Sequence, residues 1–77
     1  MKEQIKTTMS NVLGVDIKDI DTHSNRESIP GWDSLKHMNL VIALEGEFNI
    51  RFTNTEIANL ISYDCIVQLI TNKIINA

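Results

Sequence analysis

Ser34 stands where a turn, Ile29-Pro30-Gly31-Trp32-Asp33, meets an amphipathic segment beginning at Leu35. A hydroxyl at a helix start is well placed to bear a phosphate ester. The first turn of a helix presents N–H groups without partners and a partial positive charge, and both favour an attached anion. Asp33 can supply the side-chain oxygen that caps such a turn. Ser34 is then freed from capping and falls at the first helical position, hydroxyl toward solvent. The pair points to Ser34 as an attachment point for a phosphate-linked group. A catalytic serine would need more. His37 lies three residues on, but no third group or oxyanion site accompanies it. His37 and the loop residue His23 fall short of the ligand count zinc requires. Cys65, among Ile66 and Leu69 with no basic neighbour, is expected to be a buried core thiol. The chain is therefore not expected to be an enzyme.

The elements that must position Ser34 follow from periodicity. Ile5, Met9, Val12 and Leu13 recur at helical spacing, with Gly14 placed to end the helix. Val15 to Trp32 is a long connection rich in Asp, Ser, Thr and Asn, with Ile17, Ile20 and Ile29 as apolar anchors. Connections of that length are usually functional when ordered. Pro30 and Gly31 fall at the central positions a type II turn prefers, and Trp32 is expected to pack against the loop. A second helix is predicted from about Ser34 to Phe48 and a short third from about Asn54 to Leu60. Ser62 is placed to cap a last helix from Tyr63 to about Ile75, with Ile66, Leu69, Ile70 and Ile74 facing inward. No run alternates as a strand would. The prediction is an all-α, four-helix bundle with a long first loop, spanning residues 1–77 as a single domain.

Around the second helix, at roughly 100° per residue, Leu40, Val41, Leu44 and Phe48 share one arc, assigned to the core. Leu35, Met38 and Ile42 share a neighbouring arc, with Ser34 and Glu45 at its edge. Lys36, Asn39, Ala43, Gly46 and Glu47 make the wetter face. The apolar arc is wider than one seam needs. Two readings are open: all these residues face a generous core, or Leu35, Met38 and Ile42 stay partly exposed as a docking surface beside the serine. Lys36 opposes the helix dipole in the first turn. It is either a solvated lysine or a cation lying near a phosphate on Ser34.

Asp33-Ser34-Leu35, followed by Met38, Leu40, Val41, Ile42, Ala43, Leu44, Glu45, Glu47 and Phe48, resembles the acyl carrier protein family. The likeness runs from the Ile17–Asp21 region through the last helix. It implies a 4'-phosphopantetheine arm on Ser34, transferred from coenzyme A by a phosphopantetheinyl transferase (a holo-carrier synthase). That enzyme would supply the base and the metal ion, and would recognise Asp33 and Leu35. It also implies acyl or aminoacyl intermediates held as thioesters. Enzymes that load and transfer acyl or aminoacyl groups would dock through Leu35, Met38, Ile42, Glu45 and Glu56. Tethering raises the effective concentration of cargo at successive enzymes. Fatty-acid and lipid metabolism is the general setting the resemblance implies. The family's fatty-acid carriers usually have a strongly acidic second helix. Here Lys36, Asn39 and Gly46 fill such places, and Ala58 and Asn59 thin the third helix. Gly31-Trp32-Asp33-Ser34-Leu35 followed by Lys36-His37-Met38 looks more like freestanding carriers of specialised pathways and peptidyl or aminoacyl carriers. The competing expectation is an unmodified helical interaction module, whose partner binding would survive loss of Ser34.

Composition bounds these readings. With 77 residues and one cysteine, the chain is near the lower limit for a self-sufficient core and has no internal disulfide to staple it. A deformable bundle is expected, with Met9 suited to line a space for hydrophobic cargo. A net charge of -3 with two arginines and scattered lysines argues against nucleic acid. Met1-Lys2-Glu3-Gln4 begins no signal peptide, and Leu40–Leu44 is too short to span a bilayer. A monomeric cytoplasmic protein, freestanding rather than part of a megasynthase, is expected.

Overall fold

A computed structural model describes residues 1–75. Among them the chain forms helices α1 (Lys2–Leu13), α2 (Ser34–Phe48), α3 (Asn54–Asn59) and α4 (Tyr63–Ile75), with a 3-10 turn at Ile17–Asp19. α1 packs chiefly on α2 and also meets α4 and the 3-10 turn. Ile5, Met9 and Leu13 of α1 close against Leu40, Val41 and Leu44 of α2 and Ile66 and Ile70 of α4. Burying an aliphatic side chain of this size is worth about 1.5–3 kcal/mol, which is what holds so small a domain together without covalent staples.

α1 and α2 end, and α3 and α4 begin, for local reasons. Gly14 terminates α1 in the left-handed region (φ 72°), where its N–H donates to the Ser10 carbonyl. Asn49 does the same after α2 (φ 54°), reaching Glu45. α3 starts in a capping box. The Thr53 hydroxyl accepts from the Glu56 N–H, and the Glu56 carboxylate accepts from the Thr53 N–H. Ser62 opens α4, its hydroxyl accepting from the Cys65 N–H at 3.1 Å.

The long first loop is pinned at several points. Ile20 and Ile29 are buried, but Ile17 is 39 % exposed and is not the anchor its type promised. It lies on the 3-10 turn, a tight element that the scattered apolar pattern did not reveal. Beyond it, Asn25 and Ser62 form an isolated antiparallel bridge. The Arg26 N–H donates to the Ile61 carbonyl and the Tyr63 N–H to the Ser24 carbonyl, each at 3.0 Å. The loop is thus fastened to the joint between α3 and α4. Two more expectations shift. Ile74 is 43 % exposed because α4 extends past the partners that cover Ile66 and Ile70, and Cys65 is only part-buried, at the rim of a groove between α3 and α4. Phe48 and Leu69 are partly buried against the core rather than inside it.

Candidate functional site

Pro30 and Gly31 turn the chain toward α2. Gly31 sits at φ 83°, the left-handed value required at the third position of a type II turn, and the Trp32 N–H returns to the Ile29 carbonyl at 3.4 Å. Asp33 follows in extended conformation as the N-cap, its Oδ1 accepting from the Lys36 N–H at 2.8 Å. Ser34 is therefore the first helical residue, and it is exposed. Among the described residues, neither the Ser34 nor the Leu35 N–H meets an acceptor. A cap that bonds only the third N–H leaves these two donors and the positive end of a 15-residue helix beside the hydroxyl. That donor set, together with open space around the hydroxyl, fits a phosphodiester on Ser34. A carboxylate or a covering side chain there would not.

The shoulder beside the serine lies outside the core. Leu35 is 70 %, Ile42 64 % and Met38 45 % exposed, whereas Leu40, Val41 and Leu44 one arc away are buried. The generous-core reading of that width fails for these three residues. They form an apolar strip running down α2 from Ser34, with Ile61 (50 % exposed) elsewhere on the surface.

The two predicted docking acids have internal work. Glu45 Oε2 accepts from the Phe52 N–H at 2.9 Å and so holds the loop between α2 and α3. Glu56 belongs to the capping box and pairs with Lys73 at 2.8 Å, joining α3 to α4. The Lys73 ammonium is the main reason the Glu56 carboxyl is held below the usual 4.5, with the Thr53 N–H adding to it. Lys73 also lies 5.7 Å from the centroid of the Phe52 ring, which completes a cluster at the base of α3. Thr53-x-x-Glu56 carries the capping box in its spacing, but nothing in the spacing marks the Glu45–Phe52 and Glu56–Lys73 contacts, which join different elements.

His37 is not a partner for Ser34. It is buried, its Nδ1 accepts from Trp32 Nε1–H at 3.0 Å, and its Nε2 lies 2.8 Å from the Ile57 carbonyl. Both ring nitrogens are thereby occupied away from the serine. Trp32 is itself buried, packed within the core cluster as well as bonded to His37. The residues flanking Ser34 gave a signal for this pairing: Trp32 and His37 occupy the positions before the cap and four past it, where side chains commonly meet across a helix start.

Met9 is fully buried within the packed core. Space for cargo at that position requires the helices to part.

Residues 3–71 match the model of a family described as a phosphopantetheine attachment site. The matched span includes Ser34 and the starts of α2, α3 and α4. The chain is also similar to a protein named polyketide-8 synthase acyl carrier protein 2, from Streptomyces avermitilis. The two are 25% identical over 73 residues, covering 95% of this chain and 84% of the relative.

Proposed function

Since the chain belongs to the phosphopantetheine attachment site family, we propose that Ser34 bears the arm and that the cargo is acyl rather than aminoacyl. The protein is a carrier and not an enzyme, and its prosthetic group is 4'-phosphopantetheine. When bound, the group supplies a terminal thiol that holds the cargo as a thioester. The rest falls to the chain's own residues. Asp33 keeps the first turn formed through the Lys36 N–H. Ser34 offers an uncovered hydroxyl to the transferase. The free N–H groups of Ser34 and Leu35 favour the phosphodiester charge once it is attached. Leu35, Met38 and Ile42 present the apolar strip on which the transferase and the loading enzymes bind.

The observation that carries this reading is the exposed Ser34 at the first position of α2, already capped by its neighbour. Likeness to a polyketide synthase acyl carrier supports an acyl cargo. The sparse acidity of α2 supports a specialised pathway over standard fatty-acid synthesis, since enzymes that select strongly acidic carriers would find little complementary charge. Among the described residues no helix is long and apolar enough to cross a membrane. The proposed carrier is a cytoplasmic monomer whose single domain is residues 1–77. Incubation with coenzyme A and a transferase, read by intact mass, tests the assignment. One phosphopantetheine should add to the wild type and none to Ser34→Ala. Addition to Ser34→Ala would overturn it.

A further inference from the structure

We propose that His37 is a positioning residue for the loading of Ser34, acting on the serine's turn through Trp32 and tying that turn to α3 through Ile57. The inference rests on Ser34 being the loaded residue.

The geometry is directional. An indole N–H only donates, so the Trp32 bond requires a lone pair on His37 Nδ1. The single proton of the neutral ring then sits on Nε2 and is donated to the Ile57 carbonyl. The two rings lie 6.1 Å apart at 26° between planes. Trp32 and His37 bracket Asp33, Ser34, Leu35 and Lys36 between them. The cap bond from the Lys36 N–H and the His37 N–H bond to the Asp33 carbonyl lie inside the same bracket.

An apolar pair at these two positions would fix the entry angle of the chain by contact alone. It would not orient the turn about the helix axis, nor reach a carbonyl on another helix. A buried imidazole costs stability unless both nitrogens are satisfied, and here both are. α3 is six residues long and makes few contacts with the other helices. The Ile57 bond is a direct hydrogen-bonded link between it and the start of α2. Ser34 is exposed on top of a rigid, internally bonded unit. That is the arrangement needed to hold a hydroxyl in line with a phosphorus atom in another protein's active site, where a misplacement of about 1 Å can cost on the order of a hundredfold in rate.

The test measures steady-state loading from coenzyme A with Trp32→Phe and His37→Gln. Tandem mass spectrometry on the wild type first establishes that the arm is on Ser34; loading elsewhere refutes the site assignment, and the inference with it. Trp32→Phe keeps an aromatic ring and removes the N–H together with part of the indole's volume, so its folding is checked alongside its kinetics. His37→Gln keeps an amide donor for Ile57 and loses the ring. In folded protein each should lower kcat by roughly tenfold while KM for the carrier stays at the wild-type value, because Leu35, Met38 and Ile42 are untouched. A purely structural role predicts a normal kcat for whatever fraction remains folded, and that result overturns the proposal. Should either variant unfold, imidazole nitrogen spectra of the wild type decide. They should show a protonated Nε2 and a bare Nδ1 on His37, and a proton on Nδ1 of the neutral ring would refute the Trp32 bond on which the proposal rests.

Discussion

Replacing Leu35 and Leu40 separately by alanine distinguishes a docking strip from a core. The two leucines lie five residues apart on α2, and their surroundings differ sharply. Leu40 has no exposure, whereas Leu35 is 70 % exposed. A fully buried leucine contributes about 1.5–3 kcal/mol by burial, so the covered 30% of Leu35 contributes about 0.5–0.9 kcal/mol on that scale. Leu40→Ala removes the whole term and leaves a cavity, for a cost of about 2–5 kcal/mol. At about 4–8 °C per kcal/mol for a domain of this size, Leu40→Ala should lower Tm by about 8 °C or more. Leu35→Ala should lower it by about 2–7 °C, offset in part by alanine's better helix propensity. Loading kinetics should rank the two the other way. Leu35→Ala raises KM for the transferase, and Leu40→Ala leaves KM unchanged for the folded fraction. Thermal unfolding followed by circular dichroism, with transferase kinetics on the same samples, gives both numbers. Equal destabilisation by the two variants, or a normal KM for Leu35→Ala, would refute the assignment of the exposed strip.

Two further outcomes follow from the caps. Asp33→Ala should cost about 1 kcal/mol through loss of the cap on the Lys36 N–H, and Asp33→Asn should restore most of it; urea unfolding of the three proteins measures this. Glu56 has a folded pKa below 4.5, chiefly because of Lys73. Its contribution is fully present above 4.5 and is lost as pH falls through the lowered folded value. The stability gap between wild type and Glu56→Gln should therefore hold from neutrality down to the carboxylate range and close below it, as denaturant titrations at a series of pH values would show. A gap unchanged in acid would mean that the Lys73 pair stabilises nothing.

Much of the fold was legible from local signals. The bounds of α2, its cap at Asp33, the glycine stop of α1 and the Ser62 start of α4 all depend on residues within one turn of each other, and short-range chemistry decides them. The core arc of α2 was legible for the same reason, at Leu40, Val41 and Leu44. Errors gathered where long-range contacts decide. Ile17 and Ile74 have the right residue type for burial but no partner to cover them. The contacts of Glu45 with the Phe52 N–H and of Glu56 with Lys73 also went unread, because they join different elements.

Ser34 as the first residue of a helix capped by Asp33 is a property of a few consecutive residues, so the sequence alone determined it. The contacts of His37 were decided by tertiary structure. Periodicity places it on a helix three residues from the serine, where a catalytic pairing or a metal site lacked its remaining parts. Only the approach of α3 brings the Ile57 carbonyl to Nε2. A hydrogen bond across 20 positions of chain is set by how helices pack, and packing is the sum of all the side chains that share the core.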